Sequence, residues 1–221
     1  VFTPMARVLV RMIVRILYRV EVAGIENIPA EGGALLVANH VTWLDTVFLV
    51  LHCPRSIRFL AHADYIKGPF GRLARDYRAI PIRPGRKSMV ESLRAAQQAL
   101  REGSLVCVFP EGGLTRTGQL QGFRRGFLSI VRDTGAPVIP VHLGGLWGSV
   151  FSFERGKFFW KWPRKFPYPV SVVFGSPMRH LTDQQQVRLA IEELGYQTMQ
   201  KGKRGSLIPP RAMLRACRRN L

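Results

Sequence analysis

The chain has 221 residues, of which 47% are apolar, so it is long and apolar enough to fold around a buried core and is not a disordered chain. Its formal net charge of +19, from 33 lysines and arginines against 14 aspartates and glutamates, predicts a polyanionic partner: a nucleic acid, an anionic membrane or an acidic carrier protein. Three cysteines without a CxxC pair or a Cys/His cluster argue against a disulfide framework and a structural zinc site, and favour a reducing compartment.

The first predicted element is a helix over residues 4–20, with arginines at every fourth position: Arg7, Arg11, Arg15 and Arg19. On a helix this spacing makes one basic stripe between apolar faces. Such a helix is about 25 Å long, shorter than the roughly 30 Å hydrocarbon core of a bilayer. Each arginine at mid-depth would also cost about 3 kcal/mol. We therefore predict that residues 1–20 form an amphipathic helix on a membrane surface. The alternative is a helix docked on its own domain.

The middle of the chain alternates short apolar runs with helical patterns. The apolar runs predict buried strands at 34–38, 57–61, 79–82, 104–109, 137–141 and 170–174. Helical patterns cover 43–51, 69–77, 87–101, 123–134 and 182–200. This alternation predicts one α/β domain over residues 21–200, built on a mostly parallel twisted sheet flanked by helices.

Residues 147–168 interleave aromatic side chains with lysines and arginines. Aromatic rings beside cations are typical of a membrane headgroup interface, and they also stack on single-stranded nucleic acid. A long loop folded over the core is the third interpretation. Membrane contact is the interpretation we favour.

The two ends of the chain are compatible with a domain of a larger protein. Residues 201–221 carry seven lysines and arginines and are interpreted as a loosely held basic tail, able to link this domain to a following one. The chain begins with Val1 rather than methionine, so we expect the sequence to be a piece of a longer polypeptide.

His40 and Asp45 are the candidate catalytic pair. They follow the predicted strand 34–38 and precede a predicted helix, so His40 lies at the carboxyl end of a strand, where ligands bind in open α/β sheets. A carboxylate five residues later can reach one imidazole nitrogen and leave the other free as a general base. The spacing alone is a weak signal, because an Asp that caps a helix beside an incidental His would also produce it.

A second motif, Phe109-Pro110-Glu111-Gly112-Gly113, follows the predicted strand 104–109. It should therefore end at the same edge of the sheet as His40. Glycines at such a position expose backbone N–H groups that can hold a phosphate or an oxyanion. Hydrogen-bond donors follow closely, in Thr115, Arg116 and Thr117. An ordinary turn between strand and helix is the alternative.

Together these motifs resemble the glycerolipid acyltransferases of the lysophosphatidic-acid and glycerophosphate type. Four blocks match in order, at residues 39–45 (NHVTWLD), 78–84 (RAIPIRP), 109–113 (FPEGG) and 138–141 (VIPV). The FGSP at 174–177 is also similar to the family. The resemblance covers residues 39–141 and implies an α/β fold.

The chain departs from the family pattern in two blocks. In the second, Pro84 stands where the family has an arginine, with Arg83 one residue early and Arg86 two residues late. In the third, Gly113-Leu114 replaces Thr-Arg, and Arg116 comes later. Both departures are most similar to the acyltransferase domain of the bifunctional enzymes that combine 2-acylglycerophosphoethanolamine acylation with acyl-carrier-protein synthetase activity.

The resemblance implies that His40 acts as the general base on a glycerol hydroxyl and that Asp45 orients it. No acyl-enzyme intermediate is implied, and the chain has no G-x-S-x-G nucleophile motif. The block residues and their neighbours are the expected substrate-binding residues: Asn39, Arg83, Arg86, Glu111, Gly112, Gly113, Thr115 and Arg116. Of the other histidines, only His142, which follows the predicted strand 137–141, is a further candidate for substrate contact.

The implied reaction moves a fatty acyl chain from a thioester of acyl-carrier protein or coenzyme A to the free hydroxyl of a lysophospholipid. No metal or other cofactor is expected. The expected partners are the donor, the lysophospholipid and a phospholipid membrane, at the cytoplasmic face of a bacterial inner membrane by family resemblance. Nucleic acid is not an expected partner. The alternatives are a 1-acylglycerol-3-phosphate acyltransferase and a non-enzymatic basic protein that binds membranes or nucleic acid.

Overall fold

A computed structural model describes residues 4–64, 71–149, 151–154 and 166–204. Its helices are α1 (Pro4–Leu17), α2 (Asp45–His52), α3 (Gly71–Asp76), α4 (Arg86–Arg101), α5 (Gly126–Arg132) and α6 (Gln184–Arg204). Its strands are β1 (Tyr18–Ala23), β2 (Ala34–Ala38), β3 (Ile57–His62), β4 (Ile80–Ile82), β5 (Leu105–Val108), β6 (Val138–Gly144) and β7 (Tyr168–Phe174).

The strands form one sheet in the order β1-β7-β6-β2-β5-β3-β4. Among the described residues, five of the six neighbouring pairs run parallel, and only β6 and β7 run antiparallel. The prediction of a mostly parallel sheet is therefore confirmed. The six predicted strands and five predicted helices are all present, with ends that differ by at most four residues from the predicted ones.

Both faces of the sheet are covered, as the central strand β2 shows. All five of its residues are buried, which requires apolar partners on both sides. Leu36 and Ala38 join the cluster formed with α1 and α2, whereas Leu35 and Val37 join the cluster formed with α4, α5 and α6. Successive side chains of a strand point to opposite faces, so this continuous apolar run places β2 in the centre of a layered α/β/α arrangement.

Strands β2 to β6 all end at one edge of the sheet, which we call the carboxyl rim. The residues that follow these strands are Asn39, Ala63, Arg83, Phe109 and Gly145. Strands β1 and β7 run in the opposite direction and therefore begin at this rim, with Tyr18 and Tyr168 as register partners. The shared direction of five strands brings loops from distant parts of the sequence to one edge.

The prediction of a helix over residues 4–20 is wrong at the C-terminal end of the helix. The helix stops at Leu17, and residues 18–20 begin strand β1, which no predicted strand covers. Strand β1 lies at the edge of the sheet and alternates between more and less buried residues, so it lacks the continuous apolar run of the predicted strands. Its partner β7 lies far along the chain, and short-range patterns do not reveal such a pairing.

The described side chains of helix α1, from Val8 onward, contact the domain along one side. Val14 is buried in the cluster with α2, and the guanidinium of Arg11 donates a hydrogen bond to the carbonyl of Leu51 at 3.3 Å. The rest of the helix leaves six large apolar side chains exposed: Val8, Leu9, Met12, Ile13, Ile16 and Leu17. No helix within the described ranges is long and apolar enough to cross a bilayer.

Several predictions concern residues outside the described ranges. Residues 155–165 of the aromatic and basic stretch 147–168 lie outside them, and so do residues 205–221 of the basic tail. Helix α6 continues to Arg204, past the predicted start of the tail at 201. The interpretations of both segments, and the domain boundaries at 20 and 200, stay predictions.

Candidate active site

His40 and Asp45 are in contact at the carboxyl rim. His40 lies two residues beyond the end of β2, and Asp45 is the first residue of α2. The imidazole Nδ1 lies 2.8 Å from Oδ2 of Asp45, with the His40 side chain 20% exposed and the Asp45 side chain fully buried. The short turn between strand and helix thus brings the two side chains together, as their spacing predicts.

The carboxylate of Asp45 is held by the turn that it closes. Its Oδ2 accepts hydrogen bonds from the backbone N–H groups of Val41 (2.6 Å) and Thr42 (3.0 Å), and its Oδ1 accepts one from the Thr42 hydroxyl (2.8 Å). A buried carboxylate needs such donors, because desolvation without them would be costly. These bonds leave Asp45 in one orientation, aimed at His40. Thr42 was not predicted as a site residue, and only its contact with Asp45 identifies it.

The contact with Asp45 determines which nitrogen of His40 is available for chemistry. A carboxylate accepts hydrogen bonds, so Nδ1 carries the proton and Nε2 has the free lone pair. Nε2 has no hydrogen-bond partner among the described residues. The ring of Phe109 stacks on the imidazole at 4.0 Å between centroids, which restricts its rotation. The pair has the arrangement of a general base held in place by a carboxylate.

The backbone of His40 is bound on both sides by the loop that follows β5. Its N–H donates to Oε1 of Glu111 at 2.7 Å, and its carbonyl accepts from the N–H of Thr115 at 2.9 Å. The second oxygen of Glu111 accepts from the N–H of Gln121 at 2.9 Å. Burial raises the pKa of Glu111, and the two N–H donors oppose this rise. The predicted site residue Glu111 therefore joins His40 to the Gly-rich loop.

Asn39 and Thr115 have their polar side-chain atoms occupied by the protein, which differs from the predicted substrate contact. The amide of Asn39 donates to the carbonyl of Leu143 at 3.0 Å, and its oxygen accepts from the N–H of the same residue at 2.7 Å. The hydroxyl of Thr115 donates to the carbonyl of Gln119 at 2.9 Å and accepts from the N–H of Gly118. Both residues are buried, and these contacts fit a role in positioning His40 and the loop.

The Gly-rich loop lies against an arginine that was not predicted. Gly112 has a φ of +76°, a conformation that favours glycine, and a Cβ built there would approach the guanidinium of Arg124 to 2.7 Å. The N–H of Arg124 also donates to the carbonyl of Pro110 at 3.0 Å. Arg124 is exposed, and the space beside Gly113 is open. The Arg124 guanidinium and the backbone of the Gly-rich loop therefore lie together at the rim. The spacing of residues in the sequence did not indicate this contact.

The three predicted arginines, Arg83, Arg86 and Arg116, lie on different segments of the chain. Arg83 follows β4, three strands from β2 in the sheet, which is about 14 Å at a strand spacing of about 4.8 Å. Arg86 begins α4, and both side chains are exposed. Arg116 is exposed as well, with its guanidinium 5.8 Å from the centre of the Phe153 ring. Arg124, which was not predicted, is the arginine whose guanidinium lies against Gly112.

No metal-binding arrangement occurs in the ranges that the structure describes. They contain no group of three or more histidine, cysteine, aspartate or glutamate residues able to hold a metal ion. The expectation that the reaction uses no metal or other cofactor stays a prediction.

The family model described as Acyltransferase matches residues 19–144, which is more than half of the chain and includes the whole His/Asp and Gly-rich arrangement. The chain belongs to the Acyltransferase family. This membership confirms the resemblance that the sequence blocks indicated.

Two relatives of this chain are named 1-acyl-sn-glycerol-3-phosphate acyltransferase. The chain is 29% identical over 143 residues to the 1-acyl-sn-glycerol-3-phosphate acyltransferase of Bacillus subtilis, an alignment that covers 62% of this chain and 69% of that protein. It is also 29% identical over 131 residues to the chloroplastic enzyme of the same name from Arabidopsis thaliana, covering 58% of this chain but 36% of the relative. The chain thus spans little more than a third of the plant relative's length.

A solved structure supports the fold. The crystal structure of the 1-acyl-sn-glycerophosphate (LPA) acyltransferase from Thermotoga maritima superimposes with a TM-score of 0.66, covering 93% of this chain and 84% of that one. Identity between the two is 24%, so the likeness concerns the fold alone. The α/β sheet with flanking helices is shared.

His142 lies within the domain and outside the candidate site. It is on β6, and a Cβ built at Gly195 of α6 would lie 2.8 Å from its Nε2, so the helix packs directly on the ring. Its Nδ1 is buried without a hydrogen-bond partner among the described residues. Burial lowers the pKa of His142 to about 4. This environment fits a neutral, packed side chain better than the substrate contact considered for it.

We expect His142 to make stability fall in mild acid. The unfolded chain binds a proton at this position below about pH 6.5, whereas the folded chain binds it only below about pH 4. The contribution of neutral His142 to the free energy of unfolding is therefore fully present above about pH 6.5. It is lost as the pH falls toward 4, by up to about 3 kcal/mol. Denaturant unfolding of His142→Asn across this range should show a shallower pH dependence than the parent. The exposed His180→Asn is the control, and equal slopes in the His142 variant and the parent would contradict the assignment.

Proposed function

We propose that this chain is a glycerophospholipid O-acyltransferase that moves a fatty acyl chain from a thioester donor to the free glycerol hydroxyl of a lysophospholipid. The observation that carries the proposal is the imidazole of His40, held at Nδ1 by the buried Asp45 and directly connected through its backbone to the Gly-rich loop. A general base beside a site for an anion is what acylation of a phosphate-bearing alcohol requires.

The proposed reaction takes place in one transfer. Nε2 of His40 accepts the proton of the glycerol hydroxyl while the oxygen attacks the thioester carbonyl. The new C–O bond forms, the C–S bond breaks, and the departing thiolate takes the proton from the imidazolium. Asp45 stabilises that imidazolium and keeps its orientation, as a carboxylate does in other His/Asp pairs. No side chain of the protein is acylated.

The phosphate of the acceptor is proposed to bind at the Gly-rich loop. Arg124 lies over Gly112, and the open side of Gly113 offers room beside it. A guanidinium binds phosphate strongly because it donates two hydrogen bonds in one plane. Arg83, Arg86 and Arg116 are the further cations that the family blocks suggested. They are proposed as additional contacts for the headgroup or for the phosphates of the donor.

The acceptor has two candidates within this reaction. The block departures favour a lysophospholipid with a headgroup, whereas relatives named 1-acyl-sn-glycerol-3-phosphate acyltransferase favour 1-acylglycerol 3-phosphate. The donor is proposed to be acyl-carrier protein or coenzyme A, both of which are anionic and attracted by a +19 chain. Purified protein with each donor and each acceptor separates these possibilities. The cytoplasmic face of a bacterial inner membrane is the proposed location.

Substitution of the catalytic pair should abolish transfer. His40→Ala removes the base and Asp45→Asn removes its orienting carboxylate, so each should lower thioester-dependent acylation by about 10²–10⁴-fold. The measurement is release of free thiol with a matched gain of acylated lipid. His52→Ala, at the other end of α2, is the control and should retain activity. Asp45→Asn places an amide group against backbone N–H donors, so the fold of each variant is checked by circular dichroism. Full turnover in both folded variants would refute the proposal.

Arg124 should affect binding of the acceptor more than the chemical step. Because its guanidinium lies beside the proposed phosphate site, Arg124→Ala should raise the KM for the acceptor about tenfold with a smaller change in kcat. Arg125→Ala is the matched control, since Arg125 is the neighbouring exposed arginine at the start of α5. Initial rates over a range of acceptor concentrations provide both parameters. Equal effects of the two substitutions would place the phosphate elsewhere.

Membrane binding is proposed to depend on α1. Met12 and Ile16 are 56% and 60% exposed, so Met12→Glu with Ile16→Glu should leave the fold intact and lower vesicle binding at least about tenfold. Deleting residues 1–20 is a poorer test, because it removes half of β1. Leu189→Glu with Met199→Glu, also exposed but on α6, is the control. Co-flotation with vesicles of anionic phospholipid measures the change, and unaltered binding by the α1 variant would count against the helix.

A further inference from the structure

The outer side of helix α4 carries a line of positive charge, which we call the α4 stripe: Lys87, Arg94 and Arg101. These residues are seven positions apart, and two turns of a helix take about seven residues, so they lie on one side over about 21 Å. All three are exposed, and Val90, between the first two, is 41% exposed. Glu91 is the only acidic residue in the helix. The stripe is therefore a basic surface that includes an exposed apolar side chain.

The fold fixes α4 in place without using most of this charge. Ala96 packs in the cluster beneath the helix, and the hydroxyl of Ser92 donates to the carbonyl of Pro81 at 2.6 Å, which joins α4 to β4. Within the described ranges, no ion pair holds Lys87 or Arg94. Lys87 also lies in the first turn of the helix, where the helix macrodipole disfavours positive charge. The charge of the stripe therefore has no evident role in folding and is available to a partner.

The α4 stripe lies away from helix α1, the proposed membrane contact. Val14 of α1 shares a cluster with Leu36 of β2, whereas Ala96 of α4 shares a cluster with Leu35, so the two helices cover opposite faces of the sheet. Helix α1 leads into β1 and α4 follows β4, and these edge strands are six strands apart, about 29 Å at about 4.8 Å per strand. One flat bilayer cannot contact the outer sides of both helices. This position favours a water-soluble acidic partner for the stripe.

The α4 stripe begins at the carboxyl rim, where the candidate base lies. Strand β4 ends at this rim just before Arg83, and α4 begins at Arg86. The ends of β4 and β2 are three strands apart, about 14 Å at about 4.8 Å per strand. An acyl-carrier protein holds its thioester on a phosphopantetheine arm with about thirteen bonds between phosphorus and sulfur. At roughly 3.5 Å for every three bonds of an extended chain, this arm spans about 15 Å, which is enough to bring a thioester from α4 to His40.

We propose that the α4 stripe is the docking surface for an acidic acyl-carrier protein, which lies along Lys87, Val90 and Arg94 and extends its thioester along the rim to His40. This inference rests on the proposed function for the reaction at His40, and it deepens that function by naming the carrier protein as the donor. Complementary charge at such a surface speeds encounter and fixes the orientation of the partner. The arginines at the rim end of the stripe, Arg83 and Arg86, then meet the phosphate that joins the arm to the carrier.

Charge reversal on the stripe tests this inference with two donors, palmitoyl-acyl-carrier protein and palmitoyl-coenzyme A. Lys87→Glu and Arg94→Glu should each raise the KM for the carrier protein about fivefold, and together at least about tenfold. The kcat with either donor and the KM for the coenzyme A thioester should stay within about twofold, which also shows that the variants are folded. Arg19→Glu makes the same change in net charge on the edge strand β1 and is the matched control, with both KM values within about twofold of the parent. Lysophospholipid dispersed in detergent serves as the acceptor, so membrane binding does not enter the rates.

The comparison of donors separates this inference from the proposed function. An unchanged KM for the carrier protein, an equal rise with both donors, or a parent that uses only the coenzyme A thioester would overturn the docking surface while leaving acyl transfer intact. Weaker co-flotation of the stripe variants with anionic vesicles, without a change in the KM for the carrier protein, would assign the stripe to a bilayer and would also overturn it.

Direct binding decides the docking surface even if the parent transfers acyl chains from neither donor, a result that would refute the proposed function. Fluorescence anisotropy of labelled acyl-carrier protein measures this binding without turnover. Binding by the parent that Arg94→Glu weakens about fivefold, and that Arg19→Glu leaves within about twofold, supports the inference. Equal binding by the parent and Arg94→Glu, or no binding by the parent, overturns it.

Discussion

The candidate site depends on how the backbone after strand β2 is held between strand β6 and the loop that follows β5. On one side β6 continues, and the side chain of Asn39 bonds to both polar backbone groups of Leu143, in place of strand pairing. On the other side the loop after β5 binds the N–H and carbonyl of His40 through Glu111 and Thr115. The backbone at Asn39 and His40 is therefore held by β6 on one side and by the loop after β5 on the other, independently of the contacts of the His40 side chain.

These contacts fix the position of His40, the proposed general base. A general base must stay within a narrow range of position, and a shift of about 1 Å can cost much of its effect. The buried carboxylate of Asp45, the ring of Phe109 and the backbone contacts of His40 act on the same residue from different directions. Glu111 also joins His40, the proposed base, to the loop beside Arg124.

The surface of the chain is consistent with work at an interface between water and lipid. The net charge is strongly positive, and much of the apolar exposure lies on α1 and at the carboxyl rim near His40. The reversal of β1 and β7 relative to the other strands causes this arrangement, because it brings the end of α1 to the rim where the parallel strands end.

The sequence by itself determined most of the elements and the proximity of His40 to Asp45. Continuous apolar runs predicted β2 to β7, because burial on both faces leaves a local pattern, and the short turn from strand to helix predicted the contact of His40 with Asp45. Only the tertiary structure decided what depends on distant pairing. It added β1, directed Asn39 and Thr115 to backbone partners, and placed Arg124 over Gly112. Those contacts depend on how separate segments meet, and no periodicity or spacing encodes them, because they arise from the order and direction of the strands.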